Sequence, residues 1–163
     1  MKPSGINSIK AKKTIFLLPS FSAIMWCGKI YCRSINRIEK INSTDEIDST
    51  LKSHEMIHVR QAQAMNDSWL RFYWNYIISY IKNLPLITIN SKAPYLLLPV
   101  EIEAYINENN LKYAEKNQPL YGWKKYKQLT LKDKREIASE LFKANTRKKL
   151  SSLVNKHLKD KKL

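Results

Sequence analysis

Cysteine is nearly absent: Cys27 and Cys32 are the whole supply in 163 residues, too few for a disulfide framework. They flank Gly28 at a turn signal, where packing is the simpler expectation and a cross-strand disulfide the alternative. A membrane-spanning segment is missing too. The apolar run from Thr14 to Trp26 is too short to cross a bilayer. It follows Lys10, Lys12 and Lys13 and has the size of a signal-peptide core, but Pro19 interrupts it. Residues 23 to 33 read better as two β-rich stretches hinged at Cys27-Gly28. The expected location is therefore cytoplasmic, with export or association with a membrane surface as the alternative. Acidic residues are scarce, 14 against 29 Lys and Arg, for a net charge of +15. Such a balance favours anionic partners, yet no nucleic-acid-binding motif accompanies it. With 44% hydrophobic residues the chain can bury a core without help from a metal.

Histidine is equally rare, and two of the three histidines fall in one pentad, His54-Glu55-Met56-Ile57-His58. Residues four apart on a helix lie one turn above each other. His54 and His58 can thus share one Zn²⁺, and Glu55 beside them can reach a water on it. Met56, Ile57 and Val59 are apolar, as suits a helix packed into a core with only its metal face open. The plainer alternative is an amphipathic helix with two histidines one turn apart.

Two imidazoles leave a catalytic metal one protein ligand short. The extension with a Gly and a third His just after the pentad is excluded, because Gln61 and Ala64 stand at those places. The segment Pro99-Val100-Glu101-Ile102-Glu103-Ala104-Tyr105 offers two carboxylates instead. On a helix beginning at Pro99, Glu101 and Tyr105 share a face and Glu103 points away, so Glu101 is the preferred third ligand and Glu103 the alternative.

A second helix with Glu-x-x-Ala after HExxH resembles the gluzincin metallopeptidases. Leu51 to Gln61, an aromatic-rich segment and then Pro-x-Glu-x-Glu-Ala-Tyr together resemble small bacterial proteins of that type, over residues 14 to 127. The resemblance implies Zn²⁺ on His54, His58 and Glu101, with Tyr105, where the better-known members carry Asp, orienting a ligand. Gln61, three after His58, is a further orienting candidate. The implied activity is hydrolysis of peptide amides in a peptide or protein substrate, by a metal-activated water with Glu55 as general base. An edge strand at Lys29, Ile30 and Tyr31 would bind extended peptide by β-addition. Tyr95, Tyr113 and Tyr121 are candidate oxyanion donors.

The expected fold is α+β and mostly helical: a short N-terminal β-hairpin or meander, the HExxH helix, an aromatic backing helix from Trp69 to Ile81, the Glu ligand helix and basic C-terminal helices. Ser43, Thr44 or Asp45 is expected to cap the HExxH helix, and Asn66-Asp67 to end it. Residues 1–127 would form the metallopeptidase-like domain and 128–163 a basic helical extension packed on it or appended to it. From Ile106 to Leu163 the chain holds 16 Lys or Arg against 6 Asp or Glu. Thr130 to Phe142 and Thr146 to Leu158 read as amphipathic helices, the first opened by a capping box at Thr130 and Asp133, with His157 as a surface residue. A different class of function is a non-catalytic metal-binding protein whose basic helices dock on an anionic partner, nucleic acid or membrane surface. A third is a nucleic-acid or membrane-surface module with an incidental HExxH.

Overall fold

The structure, a computed structural model, describes residues 11–13, 23–26, 29–32, 49–115, 119–144 and 149–159. The expected caps Ser43, Thr44 and Asp45, as well as Cys27, Thr146 and most of the run from Thr14, lie outside them. Helix α1 spans Ser49–Ala64. It stops where Asn66 and Asp67 adopt left-handed backbone, at φ 61° and 52°, a region these two residue types tolerate better than most. Helix α2 spans Trp69–Asn83, and Pro85 turns the chain into a 3-10 turn over Leu84–Thr88. A single helical turn, α3 (Ala93–Leu96), carries Pro94 in its first turn, where a loop is expected from the sequence. Helix α4 (Pro99–Asn107) opens on a proline whose fixed φ suits that position. Short helices α5 (Leu111–Glu115) and α6 (Trp123–Tyr126) precede α7 (Leu131–Lys143) and α8 (Leu150–Lys159).

The fold is all-α, which corrects the α+β class expected from the sequence. From Ser49 onward the described residues hold helices and no strand. Ahead of α1 are three strands, β1 (Ala11–Lys13), β2 (Ala23–Trp26) and β3 (Lys29–Cys32), of three or four residues each. Their order is β1-β3-β2, with β1 parallel and β2 antiparallel to β3. Lys29, Ile30 and Tyr31 thus lie on the middle strand, paired on both sides, and not on an open edge. Peptide addition at these residues is excluded by those pairings, because β-addition needs unpaired backbone groups.

The chain divides into two compact units. One comprises residues 1–72 and 107–120, the other residues 73–106 and 121–163. The division falls inside α2 and α4, and not at the 127/128 boundary expected from the sequence. In the first unit Arg60 ties α1 to α5: its Nε donates to the Ala114 carbonyl (3.2 Å), and the Arg60 carbonyl accepts from the Leu120 amide (3.2 Å). In the second unit Leu86, Leu97 and Ile102 pack with Ile137, Leu141, Leu150 and Val154, so the basic C-terminal helices supply much of that core. They do so because their apolar residues recur at helical spacing, with the lysines on the opposite side. Asn83 links three elements there, donating to the Pro94 carbonyl (3.0 Å) and accepting from Lys134 Nζ (2.8 Å). The capping box at the start of α7 is present: the Thr130 hydroxyl accepts from the Asp133 amide, and the Asp133 carboxylate accepts from the Thr130 amide. His157 is buried and not on the surface, lying 3.9 Å from carboxylate oxygens of Asp133 and of Glu136. Its place in the series Leu150, Leu153, Val154, His157 puts it on the inward face of α8.

Candidate metal centre

A separation of four residues, just over one helical turn, brings His54 and His58 onto one side of α1, and both imidazoles are buried. Their rings meet edge to face at a centroid separation of 4.9 Å. Each is held at Nδ1. His54 Nδ1 is 2.9 Å from Glu108 Oε2, and His58 Nδ1 is 2.8 Å from Gln61 Oε1. A carboxylate and an amide carbonyl both accept, so these partners favour a proton on each Nδ1 and leave each Nε2 toward the other ring. The two Nε2 atoms then face each other at 3.2 Å. Two lone pairs at that distance repel unless a cation, either a proton or a metal ion, is shared between them. With metal–nitrogen bonds of about 2.0–2.1 Å, two imidazoles on a tetrahedral zinc have nitrogens about 3.3–3.4 Å apart. The spacing therefore fits a metal ion.

Glu101 is the carboxylate that joins them. One ligand atom from each of His54, His58 and Glu101 lies within 4.8 Å of the other two, and all three side chains are buried. The Tyr76 hydroxyl donates to Glu101 Oε1 at 3.1 Å. Burial, and next the Glu101 charge, push this hydroxyl well above the ordinary tyrosine value, so it remains a donor. Glu103 is engaged elsewhere: its Oε2 accepts from the backbone amide of Trp123 at 3.0 Å, at the start of α6. Burial, and after it the Glu103 charge, raise the Tyr126 hydroxyl to about 12. Of the two carboxylates, Glu101 is the one grouped with the histidines in a cluster that could hold a metal ion.

Glu55 is buried in the turn that carries His54. Phe72, at the start of α2, sets its ring 5.7 Å from the His58 imidazole and itself meets Trp69 at 5.6 Å, so that turn of α2 does back the pentad. The rest of α2 does not match the buried backing helix expected from the sequence, since Trp74, Ile77 and Ile81 are exposed.

Gln61 orients His58, as its position three residues later suggests. Tyr105 is half-buried against the core of the second unit, and the hydrogen-bond partners at the two Nδ1 atoms are Glu108 and Gln61. The residues missed by sequence reasoning are Glu108 and Tyr76. Glu108 lies seven after Glu101, nearly two helical turns, and that spacing was a readable signal for a second carboxylate on one face. Tyr76 had none beyond its place in an aromatic helix. Among the tyrosines considered as oxyanion donors, Tyr95 is linked to Glu101 through its hydrogen bond to Tyr76. Tyr113 is half-buried on α5, and Tyr121 is half exposed with the Lys124 ammonium 4.6 Å over its ring. Comparison of the chain with protein-family models, with curated proteins and with solved structures finds no match.

Proposed function

We propose that the protein is a zinc-dependent hydrolase of the gluzincin type, acting on peptide amide bonds. The observation that carries this reading is the pair of buried Nε2 atoms 3.2 Å apart, with both Nδ1 atoms already committed to Glu108 and Gln61. Such a pair is arranged to share a cation, and Glu101 adds the anionic ligand that favours a divalent one. His54, His58 and Glu101 would hold the zinc, which when bound supplies Lewis-acid polarisation of a carbonyl and lowers the pKa of water.

The chain's own residues supply the rest. Glu108 and Gln61 hold the two Nδ1 atoms, which leaves both Nε2 atoms turned toward a shared cation. Tyr76 orients the Glu101 carboxylate through its hydroxyl. Glu55, buried beside His54, takes the proton from the attacking water and passes it to the leaving nitrogen.

The test is zinc content after dialysis, together with cleavage of a peptide library, in wild type and Glu55→Gln. A hydrolase retains zinc in both proteins and loses cleavage only in the variant. Retained zinc with no cleavage in either would replace this reading by a metal-binding protein without turnover.

A further inference from the structure

Helix α2 is amphipathic in a way that the metal centre does not use. Its inward face carries Trp69, Phe72 and Asn83, all buried. On the opposite face Leu70 (78% exposed), Trp74 (64% exposed), Ile77, Ile78 and Ile81 stand in solvent, at the spacing of a single helical stripe. Leu84 and Ile87 in the following turn are exposed as well. Isolated surface leucines need no explanation, but a contiguous stripe of this size marks an interaction surface.

Charge decides what kind of surface covers it. No acidic residue occurs from Ser68 to Val100. Exposed Arg71 and Lys82 follow one edge of the stripe, and the half-buried rings of Tyr73 and Tyr80 follow the other. Lys82 also stands in a cationic cluster. Burial, then the charge of Lys82, lowers the pKa of both Lys127 and Lys134, and Lys124 adds to the effect on Lys127. A second copy of the chain would bring the same cations against this edge, at a net charge of +15 per copy. An anionic bilayer surface satisfies both features, with acyl chains for the stripe and phosphates for the cations, while Trp and Tyr favour the boundary between them. No helix among the described residues is long and apolar enough to cross a membrane, so the fitting geometry is one lying in the surface.

We propose that α2 docks in the surface of an anionic lipid bilayer, with Leu70, Trp74, Ile77, Ile78 and Ile81 at the acyl boundary and Arg71 and Lys82 on headgroup phosphates. This anchoring is independent of the metal reading.

Flotation of the full chain with vesicles of phosphatidylcholine, alone or mixed with phosphatidylglycerol, tests it. The chain is expected to float with the mixed vesicles and to show a blue shift of tryptophan emission that disappears in Trp74→Phe. Each of Ile77→Ser and Ile81→Ser should weaken partition by about tenfold, with the thermal melt unchanged because both positions are exposed. Absence of flotation with mixed vesicles would overturn the proposal. So would flotation equal to wild type in the Ile77→Ser, Ile81→Ser double variant, which would assign binding to the basic surface alone. Stripe-dependent self-association without flotation would assign the face to a second copy and overturn it too.

Discussion

At the scale of residues, the centre depends on what lies behind the ligands. For His54 and His58 to offer Nε2 to a metal their protons must be on Nδ1, the state that the acceptors Glu108 and Gln61 favour. Replacing an orienting partner of this kind lowers metal affinity by about 10–100-fold. Glu108→Ala is therefore expected to weaken zinc binding by that factor in a chelator competition, with the helical content unchanged. Tyr105→Phe is expected to change zinc affinity less than Glu108→Ala, since both Nδ1 atoms already have partners in Glu108 and Gln61. The reverse ranking would restore the orienting role that the Glu101 to Tyr105 spacing suggests. Phe72→Ala removes the ring that packs against His58 and should cost about 3–5 kcal/mol in denaturant unfolding, as deletion of a buried aromatic ring does.

At the scale of elements, the helices were legible to within a few residues wherever the signal was local. Asn66-Asp67 ends α1, the Thr130/Asp133 box opens α7, and Pro99 opens α4. What the sequence did not convey is which face of an element meets another. The aromatic density of α2 read as burial, yet only Trp69, Phe72 and Asn83 along its length are buried, because hydrophobicity alone does not say whether another surface is there to cover it. His157 read as a surface residue among lysines, although the period of α8 turned it inward. Within the site the two histidines and Glu101 were readable from spacing, whereas Glu108 and Tyr76 reach their partners across 54 and 25 residues of chain.

One element also carries a pH signature. Lys134 of α7 is buried against Asn83, and burial first, then Lys82, lowers its pKa from 10.5 to about 8. The unfolded chain therefore holds this proton more tightly than the folded one. Between about pH 8 and 10.5 the folded state gains stability as the pH rises, by about 3 kcal/mol at most, and below about pH 8 the penalty is present in full. Unfolding free energies of wild type and Lys134→Met, measured across that window, should converge or cross as wild type gains on the variant. A difference that stays constant with pH would show that Lys134 titrates normally.

At the scale of the whole molecule, the charge and the proposed metal centre fall in different parts of the chain. The net charge of +15 is concentrated in the C-terminal region, where α7 and α8 nevertheless contribute apolar faces to a buried core, so this region cannot be read as a detachable basic tail. A ligand that binds only the folded state raises stability by mass action, by about 2.7 kcal/mol at a hundredfold excess over its Kd. Zinc should therefore raise the melting temperature of wild type and leave His54→Ala unchanged.

The most direct test is calorimetric titration of zinc into wild type and into the His54→Ala, His58→Ala double variant. Saturable binding of a single zinc per chain in wild type, lost in the double variant, is the expected result. No saturable binding in wild type, or equal binding in the two proteins, would contradict a metal centre at His54, His58 and Glu101.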